Sequence, residues 1–252
     1  MASLKESINL SMIRSLIFFL IVIIDTVIFA SGAVIVGIFN PYSKIIHGFI
    51  MRTWSKILLI FAGVKVTVTG LENIEEGKSY IVVSNHQSNM DIPVLDAHLP
   101  LYITFIAKKE LFKIPFFGWG LRAAGMLKID RSDRAQAIRT LKEAEKTIFK
   151  HGLSVLAFPE GTRSMDGKIR AFKKGPFIMA INTGIPVLPV TIKGTYHILP
   201  KKGIRIKPGP AKIIIHPPVS VQNYTMENRT ELVDKVHKII VEAFYEQEEQ
   251  FS

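Results

Sequence analysis

The chain has 252 residues, 48% of them hydrophobic, and its 32 lysines and arginines against 21 acidic residues give a formal net charge of +11. This length fits one sizeable domain with an appendage, and the cation surplus favours anionic lipid or acidic ligands. Nucleic acid is a poorer match, because no arginine-rich run interleaves with aromatics. The absence of cysteine excludes disulfides, a thiol nucleophile and cysteine-ligated zinc.

The first predicted element is a long apolar helix over residues 15–39, which contains one charge, Asp25. At 1.5 Å per residue it reaches roughly 37 Å, more than a hydrocarbon core of about 30 Å. It spans the bilayer, dips into one leaflet as half of a hairpin, or is a signal peptide. The signal peptide is disfavoured because the stretch is too long and contains Asp25, and an acid in mid-bilayer also counts against a clean span.

A turn at Asn40-Pro41 is followed by an amphipathic helix, Tyr42–Phe61. One face is apolar and contains a tryptophan, as in interfacial helices: Tyr42, Ile46, Phe49, Ile50, Trp54, Ile57, Leu58 and Phe61. The opposite face is polar: Lys44, Gly48, Arg52, Ser55 and Lys56. The cations on this face, Lys44, Arg52 and Lys56, predict that the rest of the chain stays on the cytoplasmic side of the membrane, which in a bacterium is the inner membrane. The pattern divides the chain into a membrane-embedded part, residues 1–63, and a catalytic domain, residues 64–252.

The catalytic part alternates short β-rich runs with helical patterns, which predicts an α/β fold with a mostly parallel sheet flanked by helices. The predicted strands are Lys65–Thr69, Tyr80–Ser84, Tyr102–Ala107, Gly125–Ile129, Ser154–Phe158, Pro186–Ile192 and Lys212–Ile215. The predicted helices are Ser132–Lys150, capped by Ser132 or Asp133, a short one from Gly175-Pro176 to near Gly184, and Thr225–Glu246. Lys201–Pro210 is predicted to be a hairpin.

Polar clusters follow three of these strands, where ligands bind in open α/β sheets. The first cluster, NHQSNMD, contains His86 and Asp91. Five residues along a helix would put the two side chains on nearly opposite faces. The pair works as a base and its orienting partner only if His86 lies in the loop and Asp91 in the first helical turn. Alone, a histidine and an aspartate at this spacing also fit a solvated loop.

The second and third clusters offer positive charge. Glu160-Gly161-Thr162-Arg163 combines a glycine, which lets backbone N–H groups approach a ligand, with a guanidinium suited to phosphate. Lys108 and Lys109 offer further cations. A tight turn with a solvated arginine explains residues 160–163 equally well, and a solvated helix start explains the two lysines equally well. No phosphate-loop or dinucleotide motif occurs, so no nucleotide cofactor is indicated. No Gly-x-Ser-x-Gly elbow occurs either, which disfavours a covalent acyl-enzyme.

The order of these blocks resembles that of the 1-acyl-sn-glycerol-3-phosphate (lysophosphatidate) acyltransferases of the glycerolipid acyltransferase superfamily. The resemblance rests on four blocks within residues 85–190: Asn85-His86 with Asp91; the Lys-rich block KKELFKIPFFGWGLRAAGMLKIDR, Lys108–Arg131; FPEGTRS, Phe158–Ser164, followed by Lys173-Lys174-Gly175; and IPVLPV, Ile185–Val190. It implies a glycerolphosphate acyltransferase-like fold behind an N-terminal membrane helix hairpin.

The resemblance also implies roles. His86 would deprotonate the sn-2 hydroxyl of a lysolipid, oriented by Asp91, and the hydroxyl would attack the thioester of acyl-carrier protein or coenzyme A without an acyl-enzyme. Glycerol phosphate would be held by Lys109, Glu160, Gly161, Thr162 and Arg163. Additional candidate residues are Asn85, Lys108, Arg131 and Pro186, the last on the acyl or thioester side. No cofactor and no metal are expected, and the partners are the bilayer, lysophosphatidate and the thioester donor.

Three alternatives stay open from the sequence. The same chemistry would act on another acceptor: glycerol 3-phosphate, a lysophospholipid with a larger headgroup, or an aminolipid. A membrane-bound esterase or phosphatase would use His86 on water. A non-catalytic membrane-binding protein would leave the four blocks without a purpose.

Overall fold

The computed structural model of the chain describes residues 2–130 and 134–246. Its α-helices are α1 (Ala2–Gly37), α2 (Met51–Ala62), α3 (Asp91–His98), α4 (Phe117–Ala123), α5 (Arg134–His151), α6 (Gly175–Thr183), α7 (Thr195–Ile198) and α8 (Arg229–Tyr245). Its strands are β1 (Val64–Thr69), β2 (Ile81–Ser84), β3 (Ile103–Lys108), β4 (Leu127–Ile129), β5 (Ser154–Ala157), β6 (Val187–Lys193) and β7 (Gly209–Ile215). A π-helical turn, Ile45–Ile50, leads into α2, and a 3₁₀ turn, Lys109–Lys113, leaves β3.

The strands form one seven-stranded sheet in the order β1-β7-β6-β2-β5-β3-β4. β6, β2, β5, β3 and β4 are mutually parallel, while β7 is antiparallel to β6 and parallel to β1. The predicted mostly parallel sheet is therefore confirmed. The carboxyl ends of β2, β3, β5 and β6 meet at one edge, and we refer to it as the site edge.

Helices cover both faces of the sheet, because the central strands are buried on both sides. On one face, α2 and α3 pack with Tyr80, Val82 and Leu188 in one hydrophobic cluster. On the other face, α6 and α8 pack on Ile81 and Val83 in a second cluster. Strand β2 lies between the two clusters, so the loop that leaves it is fixed from both sides.

Helices α1 and α2 form the predicted antiparallel hairpin. Trp54 Nε1 donates to Thr26 Oγ1 at 3.2 Å, and Arg14 of α1 donates to the Ala62 carbonyl at the end of α2 at 3.3 Å. Two helices, Ser11–Gly37 and Ile45–Ala62, are long and apolar enough to cross a membrane. Much of α1 carries exposed large apolar side chains, including Leu16, Ile23, Ile28 and Ile35.

The polar face of α2 is directed differently from the expectation. Ser55 is fully buried and donates to Asp96 of α3 at 2.7 Å, and Arg52 donates to the carbonyls of Leu99 and Leu101 at 2.9 and 3.3 Å. α3 ends at His98, so the Leu99 carbonyl lies just past a helix end, where backbone acceptors need partners. Arg52 and Ser55 thus dock α2 on the catalytic domain, while Phe49 and Phe61 of the predicted apolar face are exposed.

The remaining predictions fall close to the observed elements. Each predicted strand begins within three residues of the observed one. The caps predicted at Ser132 or Asp133 lie outside the described residues. Residues 201–208 form an irregular loop instead of the predicted hairpin, with a turn at Lys201-Lys202 that the Gly203 N–H closes on the Pro200 carbonyl, and β7 begins only at Gly209.

Candidate functional site

His86 and Asp91 meet at the site edge in the arrangement that the spacing required. His86 lies in the loop after β2, and Asp91 is the first residue of α3. His86 Nδ1 lies 2.8 Å from Asp91 Oδ2. The side chain of His86 is 15% exposed, and its ring stacks on Phe158 with centroids 4.0 Å apart. Within the described part of the chain nothing hydrogen-bonds Nε2, so this nitrogen is available to a substrate.

The Asp91 carboxylate is fully buried and its orientation is fixed by four donors. Besides His86, Oδ2 accepts from the backbone N–H groups of Gln87 at 2.7 Å and Ser88 at 2.8 Å. Oδ1 accepts from the Thr195 hydroxyl at 2.6 Å. Because a carboxylate can only accept, Nδ1 of His86 carries its proton toward Asp91, which leaves Nε2 as the basic nitrogen.

Glu160 holds the loop after β2, which contains His86, against the loop that follows β5. Its Oε1 accepts from the backbone N–H of His86 at 2.8 Å, and its Oε2 accepts from the N–H of Arg170 at 3.1 Å. The Ser164 N–H donates to the His86 carbonyl at 2.8 Å. Both the N–H and the carbonyl of His86 are therefore hydrogen-bonded to the loop after β5. Burial raises the pKa of Glu160 to about 7, and the two N–H bonds oppose that rise. Glu160 positions the backbone of His86.

An apolar groove of about 1080 Å³ opens at His86 and runs between the sheet and the helix hairpin. Its walls come from both helices of the hairpin, from β3 and from α4, and include Phe19, Val22, Trp54, Phe105, Phe116 and Leu121. One groove thus joins the surface of α1 to the imidazole. Its shape and chemistry suit an acyl chain with the reacting atoms at the His86 end.

Cations gather at the His86 end of this groove. Arg163, Lys173 and Lys201 all contribute to its lining. Lys201 Nζ donates to Thr162 Oγ1 at 2.8 Å, and a β-carbon on Gly161 would come within 2.8 Å of Lys173 Nζ. Burial lowers the pKa of Arg163, although a guanidinium stays charged at any ordinary pH. These cationic side chains at one end of an apolar groove could pair with a small anionic group.

The other predicted site residues have different places. Asn85 bridges β2 to β6 with two bonds of 2.8 Å to the backbone of Ile192, which is a structural role. Lys108 lines the groove, and Lys109 is ion-paired with Asp130. Pro186 lies at the opposite end of the strands, where its carbonyl accepts from Ile81, and it is not among the described residues that line the groove. Arg131 lies outside the described residues.

Sequence reasoning missed two contributors. Thr195 stands just after β6 at the site edge, and a polar residue at this fourth strand exit was the available signal. Lys201 belongs to a loop that is hydrogen-bonded to the loop after β2, since Ser88 Oγ donates to the Leu199 carbonyl at 2.6 Å. Both lie far along the chain from the residues they contact, so no local motif marks them.

Comparisons with known proteins find similar chains among acyltransferases. The family model described as Acyltransferase matches residues 65–193. The chain is 39% identical to a chloroplastic 1-acyl-sn-glycerol-3-phosphate acyltransferase of Arabidopsis thaliana, over 75% of this chain and 52% of that protein. It is 32% identical to the alpha 1-acyl-sn-glycerol-3-phosphate acyltransferase of Mus musculus, over 76% of this chain and 69% of that protein. The chain thus spans only about half the length of some curated relatives it matches.

A solved structure is similar over nearly the whole chain. The crystal structure of the 1-acyl-sn-glycerophosphate acyltransferase PlsC from Thermotoga maritima superposes with a TM-score of 0.81 at 32% sequence identity. The match covers 95% of this chain and 97% of that one, so the helix hairpin is included as well as the sheet.

Proposed function

The chain belongs to the 1-acyl-sn-glycerol-3-phosphate acyltransferase family, and on this premise we propose that it acylates the sn-2 hydroxyl of lysophosphatidate from a thioester donor, giving phosphatidate. The observation that carries the proposal is the His86–Asp91 pair at the cationic end of an apolar groove. The groove takes an acyl chain, the cations take a phosphate, and the base stands between them.

In the proposed reaction His86 Nε2 removes the proton from the lysolipid hydroxyl as its oxygen attacks the thioester carbonyl. Asp91 stabilises the imidazolium that forms. The new C–O bond forms, the C–S bond breaks, and the imidazolium returns its proton to the leaving thiolate. No nucleophilic side chain takes part, so no acyl-enzyme forms. Both acyl-carrier protein and coenzyme A thioesters fit this chemistry.

The phosphate is held by Arg163, with Lys173 and Lys201 beside it. Their placement at the end of the groove supports the assignment. Gly161 lets Lys173 lie close to the backbone because it has no β-carbon, and its φ of +74° is a conformation that suits glycine. The proposed direct contacts of Lys109 and Glu160 with the phosphate have less support, because Lys109 pairs with Asp130 and Glu160 accepts from backbone N–H groups.

We further propose that the hairpin inserts into one leaflet, with the catalytic domain on the cytoplasmic face. The catalytic domain holds α1 at two points: Ser15 Oγ accepts from Ile206 N–H at 3.1 Å, and Gly37 packs on Ala123. These residues lie about 33 Å apart along the helix. A helix attached to the domain over that length lies along its surface and cannot cross a bilayer without drawing the domain in.

The test is an assay of the full chain in detergent micelles with lysophosphatidate and either acyl-coenzyme A or acyl-carrier protein. Mass spectrometry follows phosphatidate, and thiol release follows the donor. We expect His86→Ala to lower the rate about 10²- to 10⁴-fold, while His197→Ala, an exposed histidine on α7, keeps the wild-type rate. Thiol release that needs no acceptor would replace the proposal with an esterase. Equal rates with monoacylglycerol, which lacks the phosphate, would remove the phosphate assignment, and equal rates with lysophosphatidylcholine would point to a different lysophospholipid acceptor.

A further inference from the structure

An exposed aromatic segment runs from the residues just before α4 into the first turn of that helix. Residues 114–119 read IPFFGW, and within them Ile114 is 46% exposed, Phe116 38% and Trp119 50%. The rings of Phe116 and Trp119 contact each other with centroids 4.9 Å apart. Large apolar side chains clustered in this way on a surface mark an interaction site.

The backbone of this segment is held in an unusual conformation. Phe116 has φ +58°, and it is the only non-glycine with positive φ in the described part of the chain. A bulky residue adopts this region only where its surroundings force it. Here Gly118 N–H donates to Ile114 and Gly120 N–H to Phe116, both at 2.8 Å, and Arg122 braces the turn through the Phe112 carbonyl at 2.7 Å. The turn therefore presents its aromatic side chains in a fixed arrangement.

The segment adjoins the exposed apolar surface of α1. Gly120 packs so closely on α1 that an added β-carbon would lie 2.9 Å from that of Ala30. Trp119, the preceding residue, is 50% exposed beside this contact, and α1 itself carries exposed large apolar side chains. The apolar surface of the hairpin continues onto the segment, and the exposed cation Lys113 directly precedes it.

The same segment also forms part of the groove. Ile114, Pro115, Phe116 and Phe117 line the groove that ends at His86, whereas Trp119 is not in its lining. The segment thus has one side toward the groove and one side continuous with the hairpin surface. A chain passing from the leaflet into the groove along this side would meet aromatic rings and no charge.

We propose that residues 114–119 form a third membrane-inserted element, which dips into the same anionic leaflet as the hairpin and borders the mouth through which the lysolipid acyl chain enters. This inference rests on the membrane attachment and acyl transfer proposed above. The lipid leaflet is the occupant that the continuity with α1 and the neighbouring Lys113 favour.

The chain provides its own reporter, because it has two tryptophans, Trp54 and Trp119. Trp54→Phe leaves Trp119 as the only tryptophan among these 252 residues. We expect its emission to shift to shorter wavelength on mixing with phosphatidylglycerol–phosphatidylcholine vesicles, and brominated acyl chains to quench it. Flotation on the same vesicles measures attachment of the whole chain. Flotation without a shift or quenching at Trp119 would overturn this inference and leave the hairpin attachment standing.

Other outcomes are equally decisive. Shielding of Trp119 only by acyl-carrier protein, or only by a second copy of the chain at high concentration, would overturn the inference in favour of that partner. Failure to float would overturn both the inference and the attachment. The micelle assay with lysophosphatidate tests acyl transfer independently of these vesicle experiments.

A substitution at Trp119 tests the energetic contribution. We expect Trp119→Ser to weaken partition into these vesicles about tenfold, and Trp119→Phe, which keeps a ring, to retain it. The rate in detergent micelles should not change in either variant, because Trp119 does not line the groove. Unchanged partition of Trp119→Ser would contradict the inference.

Discussion

Replacing Asp91 with asparagine separates the charge of this residue from its geometry. The N–H groups of Gln87 and Ser88 point at Oδ2, so only the amide oxygen can occupy that position. The amide nitrogen then faces Thr195, whose hydroxyl can accept as well as donate. His86 Nδ1 keeps an acceptor, its tautomer is retained, and only the negative charge is lost.

The size of the effect can be worked from the distance. Unit charges about 4 Å apart interact by about 4 kcal/mol at an effective dielectric constant near 20. Since about 1.4 kcal/mol corresponds to a tenfold change in rate, we expect Asp91→Asn to lower kcat about 10³-fold. A change of tautomer, by contrast, would cost about 10⁴-fold, as in the serine protease triad.

The assay measures phosphatidate formation in micelles at saturating lysophosphatidate, with thermal unfolding as the check on folding. Thr195→Val is the matched control, because it removes one hydrogen bond to Asp91 and leaves the charge, so its expected loss is only about tenfold. A folded Asp91→Asn protein that retains more than a tenth of the wild-type rate would refute the reasoning that Asp91 stabilises an imidazolium.

Three further predictions concern stability and the phosphate end. Burial raises the pKa of Asp96 from 3.8 to about 6. The stability that the protonated Asp96 contributes is therefore full below pH 3.8 and is lost as the pH rises through 6. Asp96→Asn should unfold at a higher temperature than wild type above pH 6 and at a similar temperature below pH 3.8. Burial likewise raises the pKa of Glu160 from 4.5 to about 7, so Glu160→Gln should flatten the fall in unfolding temperature across that window, and an unchanged slope would contradict the assignment. Gly161→Ala, at φ +74° and 2.8 Å from Lys173 Nζ, should raise the KM for lysophosphatidate about tenfold, and steady-state kinetics with an unaltered KM would count against the phosphate site.

The sheet could be predicted from the sequence because each strand is a short apolar run that ends in polar or turn residues. Helix α4 could not, since its seven residues include two glycines, which are poor helix formers. Its close contact with α1 explains Gly120, because a side chain there would collide with Ala30. Tertiary packing, which the local pattern does not contain, overrides propensity at this helix.

The orientation of α2 was also beyond the sequence. A helix with cations on one face and apolar residues on the other predicts water on the cationic side. Arg52 instead satisfies carbonyls beyond the end of α3, and Ser55 meets a buried carboxyl. The pattern shows that one face is polar, but it cannot show whether the partner is water or protein.

In the candidate site, His86 and Asp91 could be predicted because both lie in one loop and the helix it enters. Thr195 could not, because it lies 104 residues from Asp91 and reaches it only through the pairing of β6 with β2. Glu160 was predicted to hold the phosphate because the family resemblance of FPEGTRS implies that role. Its contacts with two backbone N–H groups became visible only when the loops after β2 and β5 came together.

The central claim is direct transfer to the lysolipid by a base without an acyl-enzyme, and a single-turnover experiment tests it most directly. Excess protein is mixed with acyl-coenzyme A or acyl-carrier protein in micelles, first without acceptor, and intact mass and thiol release are followed. The account predicts no thiol burst and no mass increase until lysophosphatidate is added, after which thiol and phosphatidate appear together in equal amounts. A burst of thiol with an acylated protein before acceptor is added would contradict it.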